Sequence, residues 1–261
     1  MDMRHILFCG VALSMLVTPA LAADLAPNFK APIPLYTWTG CYVGADIGGG
    51  WANQGVINAS QLTVAIPPVF GTQDTVNSTA TGGTVLGGGH VGCNYQWVPS
   101  LVIGVEADFG GASLDAHKSV GSTFAGVGAP GGGVSWSTKI DAIATVRGRL
   151  GFAWTPNTLL YITAGGAFAH SSFSSTDIFV FGCPACATTS LSNTISGVVL
   201  GGGIEWAPWS NNWTVRAEYL YYGFGGATGT GFVPGVTAPA TSVTWSSVNV
   251  SAGRAGLSYK F

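Results

Sequence analysis

The charged residues of this chain fall on one side of the extended segments that hold them. In "LVIGVEADF", residues 101–109, Leu101, Ile103, Val105, Ala107 and Phe109 share one register, and Glu106 and Asp108 share the other. In "IDAIATVRGRLGFAW", 140–154, the set Ile140, Val146, Leu150, Phe152 and Trp154 stands against Asp141, Arg147 and Arg149. In "WTVRAEYLYYGF", 213–224, Arg216 and Glu218 oppose Val215, Ala217, Tyr219 and Tyr221. Successive side chains of a strand point to opposite faces, so this alternation predicts strands with two unlike faces. The same rule sends Asp46, Glu205, Arg254 and Lys260 to the charged face.

Which face looks outward follows from how little charge there is. Charged residues make up 8% of the chain and hydrophobic ones 47%, against about 25% charge in an ordinary globular domain. That is too little to solvate a normal surface. The leader "MDMRHILFCGVALSMLVTPALA" has one Arg, an apolar run and a small-residue end, and reads as a secretory signal peptide cleaved between Ala22 and Ala23. Its apolar run from Ile6 to Val17 is too short for a bilayer, which needs about 20 helical residues, and no later segment offers a longer one. An exported, apolar chain without a spanning helix can cross hydrocarbon only as a closed barrel, where every backbone N–H and C=O is paired. Bulky apolar side chains then face lipid and the charges face the lumen. A formal charge of −2 gives no basic face for nucleic acid.

Eight segments alternate in this way, at 38–52, 82–97, 101–115, 140–154, 158–174, 194–206, 213–224 and 246–261, after a Pro-rich lead-in. The expected organisation is a signal peptide over 1–22, a periplasmic segment over 23–37 and an eight-stranded antiparallel up-and-down β-barrel over 38–261. Connections after the second, fourth and sixth segments are short ("PS", "TPN", "APWSNN"), and the others are long and rich in Gly, Ser and Thr. Short turns on one side and long loops on the other are the habit of outer-membrane barrels, with the short turns periplasmic. Tyr95, Trp97, Trp154, Trp206, Trp213, Tyr259 and Phe261 gather at the short-turn end, and Trp51, Phe109, Trp136, Tyr222 and Trp245 near the other. They are expected as two aromatic girdles. Eight strands leave a bore just wide enough for side chains. The acids Asp46, Glu106, Asp108, Asp141, Glu205 and Glu218 and the bases Arg147, Arg149, Arg216, Arg254 and Lys260 are therefore expected to pair as a plug, since buried charges persist only when paired.

Cys41 and Cys93 sit near the shared turn end of the first two segments, in the outward register, and exported cysteines normally pair. A cross-strand disulfide is the favoured reading, and two buried thiols the other. Cys183 and Cys186 have redox-motif spacing but lie in a long loop without a βαβ pattern, so a loop staple is expected rather than catalysis. "GGGHVG" at 87–92 and "GVGAPG" at 126–131 match a nucleotide fingerprint but open no helix. His170 and Ser172, with Asp177 nearby, share a face as a lipid hydrolase would arrange them, but a Ser-rich strand end makes that pairing cheap. His90 and His117 lack metal-ligand spacing. No cofactor or metal is expected, and no catalytic residue is assigned.

"WTGCYVGADIGGGW", "GGHVGCNYQWVPSLVIGVEADF" and the final "AGLSYKF" resemble the alphaproteobacterial small outer-membrane barrels called outer-membrane immunogenic proteins or porin-family proteins. The resemblance runs through the mature chain in strand order and implies an outer-membrane barrel with a structural or surface-exposed role. Leu257, Tyr259 and Phe261 are similar to the C-terminal signal read by the barrel-assembly machinery. The expected partners are accordingly outer-membrane lipid and, during biogenesis, that machinery and periplasmic chaperones, with the protein a monomer. Residues 23–37 are too few for the cell-wall-binding domain of larger relatives. The leading expectation is a non-enzymatic envelope protein displaying four loops; a weak solute channel and a loop-based adhesin or receptor are the alternatives.

Overall fold

Strands joined by turns as short as Pro99-Ser100 must lie antiparallel to their neighbours, and the chain does so all the way round. The computed structural model describes residues 36–60, 74–122, 132–179, 183–208, 212–231 and 241–261. They form β1 (Gly40–Ser60), β2 (Asp74–Val98), β3 (Leu101–Ser122), β4 (Gly132–Thr155), β5 (Thr158–Phe179), β6 (Cys183–Trp206), β7 (Trp213–Phe224), β8 (Ala227–Gly231) and β9 (Thr241–Lys260). From β1 to β7 each pairs with the next, β7 pairs with β9, and β9 pairs with β1, closing the sheet into a ring. β7 and the short β8 lie along the same side of β9, one after the other. The ring therefore has eight places, and each expected segment fills one.

The strands run further than the apolar alternation does. β2 begins at Asp74, and pairing with β1 continues to Ser60 opposite Asp74. Backbone hydrogen bonds do not stop where the lipid-facing pattern stops, so Thr-, Ser- and Asn-rich ends stay in the sheet. The sheet is apolar outside and charged inside: Val105 is 63% exposed, Glu106 2% and Phe109 67%. All seven rings at the short-turn end are exposed.

Four residues depart from the expected register because their strands are irregular. Asp141 is exposed, and Ile140, expected to face lipid, is fully buried. Pairing of β4 with β5 shifts between Ile140 and Ala142, and such a bulge adds one residue and reverses which face later residues take. Trp136, beyond that bulge, is consequently buried rather than part of a girdle. Trp245 is buried for the same reason. Partners of β1 jump from Val248 to Trp245 along β9, an irregularity that changes its parity. Tyr222 is also buried, in the same register as Arg216 and Glu218, so simple alternation already placed it inside. Of the outer set, Trp51 and Phe109 face outward.

Cys41 stands opposite Cys93 and is joined to it by a disulfide, with Cα atoms 4.0 Å apart. Both sit among outward-facing Val43, Val91, Val105 and Val146 with Phe261 alongside, a nearly apolar surround. Alkylation of unfolded, unreduced protein should leave both cysteine peptides unmodified, and protein in lipid vesicles should keep the bond under millimolar glutathione. Free thiols at these two positions would end that assignment. The Cys183 and Cys186 side chains, and the Ala22-Ala23 junction, lie outside the described residues.

Candidate functional site

The interior is closed by side chains at three levels. At the periplasmic mouth, the stretch just before β1 turns inward. Trp38 is buried against Val102 and Leu159, and its backbone N–H donates to Gln96 Oε1 at 3.0 Å. The Gln96 N–H in turn donates to Thr39 Oγ1 at 3.0 Å. Lys260 donates from Nζ to the Thr37 carbonyl and lies 4.1 Å from the Tyr36 ring centre. Burial, helped by the Glu205 carboxylate, pushes the Tyr36 phenol well above its ordinary range. Lys260 thus belongs to the mouth and not to the ionic layer above it.

That layer is built from inward positions on β1, β3, β4, β6, β7 and β9. Arg147 donates to Glu106, to Asp108 at 2.8 Å and to Glu218 at 3.1 Å. Arg149 donates to Glu205 at 2.8 Å and approaches Glu106 at 3.3 Å. It also lies 3.9 Å from the Tyr161 ring centre. Arg216 binds both Asp46 oxygens, at 2.8 and 2.6 Å, and Glu106 at 2.7 Å. Arg254 reaches Glu218 at 2.6 Å and Asp108 at 3.3 Å. Each guanidinium therefore ties carboxylates from two different strands, and Glu106 receives three guanidiniums. Planar donors in a fixed fork suit this bridging better than an ammonium would. Of the charged residues assigned to the lumen from sequence, the structure brings together Asp46, Glu106, Asp108, Arg147, Arg149, Glu205, Arg216, Glu218 and Arg254. It leaves Asp141 outside and Lys260 at the mouth.

Glycine makes room at two close approaches. A Cβ on Gly44 would meet the His90 ring at 2.4 Å, and one on Gly256 would meet Asp46 Oδ1 at 2.1 Å and Arg216 Nε at 3.1 Å. Both strands can carry the network only with no side chain there.

Sequence reasoning missed His90 and Tyr42. His90 lies between Asp46 Oδ2, at 2.7 Å from Nδ1, and Ser258 Oγ, at 2.8 Å from Nε2. Tyr42 donates to Glu106 at 2.6 Å and accepts from Arg149 at 2.5 Å. Strand parity was the available signal, since both fall in the inward register of their strands. Asp46, His90 and Ser258 stand in the order of a proton relay. Yet His90 and Ser258 are almost wholly buried and Asp46 is clamped by Arg216, so the row braces three strands.

Above the ionic layer the bore turns apolar. Leu86, Ile143, Val199 and Leu220 lead to Ile140, Phe173, Trp136 and Trp245, all buried in one cluster. Phe173 and Trp245 meet with ring centres 5.2 Å apart. Between the two layers, a hollow of about 20 Å³ beside Asp46, Asp108 and Arg254 has room for about one water. His170, exposed on the outer wall, has Ser192 Oγ at 3.4 Å from Nε2; the Asp177 side chain lies outside the described residues. No metal-binding group of His, Cys, Asp or Glu occurs among the described residues.

The outer membrane protein beta-barrel domain family matches residues 10–261. Over 266 residues the chain is 32% identical to the 31 kDa outer-membrane immunogenic protein of Brucella melitensis, covering 99% of this chain and 100% of that one. The protein of the same name from Brucella suis gives the same figures. Among solved structures, the chain is similar to the outer membrane protease OmpT of Escherichia coli, at 9% identity over 84% of this chain and 97% of that one, with a TM-score of 0.44. For Neisserial surface protein A the values are 15%, 85%, 98% and 0.37.

Proposed function

Because this chain belongs to the outer membrane protein beta-barrel family, we propose that it serves the envelope as a closed, stiff wall element carrying surface loops, and not as a pore. It is an outer-membrane protein, and its apolar face meets lipid. The observation that carries the closed reading is the cross-bore bridging: Arg147, for example, joins β3 to β7 through Glu106 and Glu218. An ion passing this layer would have to break pairs whose separation inside a protein costs several kcal/mol, and bulky rings fill the bore above it. The hollow between the layers has room for about one water, which gives the channel reading little support. Among the described residues the relay-like row of Asp46, His90 and Ser258 is sealed, which gives a catalytic role no support there.

Two further elements complete the reading. The ring has no open seam among the described residues, which favours a monomer, since an unpaired edge is what recruits a second copy. Leu257, Tyr259 and Phe261 face outward at the end of β9, available to the barrel-assembly machinery once periplasmic chaperones deliver the chain. Purified protein in planar bilayers should be electrically silent at physiological salt. Reproducible single-channel steps would overturn the closed-wall reading.

A further inference from the structure

On the outer wall, β3 to β6 change character within a few residues. The lipid-facing positions of β5 run from Leu160 to Phe168 and those of β6 from Trp206 to Val198, close to the ~9–11 residues a tilted strand needs to cross hydrocarbon. The same outward register then carries Ser172 and Ser174 on β5, and Ser192 and Ser190 on β6. β4 adds Lys139 and Ser137. Pairing aligns these into two rows across three strands, Lys139–Ser172–Ser192 and Ser137–Ser174–Ser190. Together they border an open hollow of about 270 Å³.

We propose that this face seats the core sugars of a glycolipid of the outer leaflet. The inference rests on outer-membrane placement and is independent of whether the lumen is closed. Continuity with the lipid-facing band decides the source: a lipid whose tails lie on Leu160–Phe168 presents its head group at the level where the serine rows begin. Chemistry decides the class. Each hydroxyl both donates and accepts, which matches the hydroxyls of a saccharide, and neighbouring strands hold the members of each row ≈ 4.7–4.9 Å apart. A polyanion fits less well, because the one Lys of the rows already has Asp115 Oδ2 at 3.9 Å. The Ser137 and Ser174 hydroxyls are 2.8 Å apart, so the face is ordered before a ligand arrives and little freedom is lost on binding. On the far side of the barrel, Trp51 and Val85 continue the apolar surface upward, followed by the Asn53–Thr81 pair.

The test places full-length protein in phosphatidylethanolamine vesicles containing either rough-form lipopolysaccharide, which carries core sugars, or lipid A, which lacks them. Glycolipid retained per protein after extraction into mild detergent is read by native mass spectrometry. Wild type should retain the core-bearing lipid at least tenfold better than lipid A. The variant Ser137→Ala, Ser174→Ala, Ser190→Ala, Ser192→Ala should lose that preference, and Asn53→Ala with Thr81→Ala should keep it. If the fourfold variant does not refold, Ser174→Ala with Ser190→Ala carries the comparison, with at least a threefold loss expected. Equal retention of both lipids, an unchanged preference in the serine variants, or an equal loss in the Asn53 and Thr81 control would overturn the proposal. So would equally tight binding of the free core oligosaccharide, which would make the partner a soluble saccharide.

Discussion

Replacing Glu106 by alanine should destabilise the folded barrel by about 3–5 kcal/mol, the range for breaking a buried ion pair from one side. Three guanidiniums share this carboxylate, and it also accepts the Tyr42 hydroxyl. Removing it leaves Arg147, Arg149 and Arg216 with one acceptor fewer each, in a bore too tight to hydrate them. Arg147→Ala should cost less, because Glu106 would keep Arg149 and Arg216. The measurement is the urea midpoint of detergent-solubilised protein, followed by the folded band in unheated gels. Glu106→Gln should fall between wild type and alanine, since it keeps an acceptor oxygen and loses the charge. An unchanged midpoint for Glu106→Ala would mean that water reaches the layer freely.

Deleting Phe261 should leave refolding in detergent nearly unchanged while reducing the amount assembled in the outer membrane about tenfold or more. The physical loss is small. The ring is 73% exposed, and the backbone N–H donates to the Cys41 carbonyl at 3.0 Å, a contribution of about 1 kcal/mol. A large effect in the cell would therefore come from recognition, not from packing. The two arms are refolding yield in detergent and folded protein in isolated outer membranes. Normal membrane yield would show the terminal aromatic to be packing alone.

The ring of strands was legible because a strand buried in lipid on one face and in a charged bore on the other has the simplest possible pattern. Val105, Glu106 and Phe109 state it in five positions. What alternation could not give was any bulge, because an extra residue changes parity without changing composition; hence Asp141, Trp136 and Trp245 took the opposite face. Tyr222 is a different case. Its parity was plain, but its height along the barrel suggested a girdle, and height says nothing about facing. His90 was weighed only as a metal ligand, although its register already pointed it at Asp46. The apolar upper bore was illegible for a related reason: hydrophobic residues inside and outside a membrane barrel look alike in sequence. The strand ends beyond the lipid band escaped notice because Ser and Thr alternate with one another.

The Cys41–Cys93 bond faces the membrane, one residue pair in from the exposed ring of Tyr95. Thiol exchange proceeds through a thiolate, and an anion in hydrocarbon is costly enough to be nearly absent. Insertion therefore freezes the oxidation state of this pair. Whatever the two sulfurs were when the wall met lipid, they stay, so the bond must form while β1 and β2 are still in water. Each inserted molecule thus carries, in its own wall, a lasting record of the redox conditions it crossed on the way.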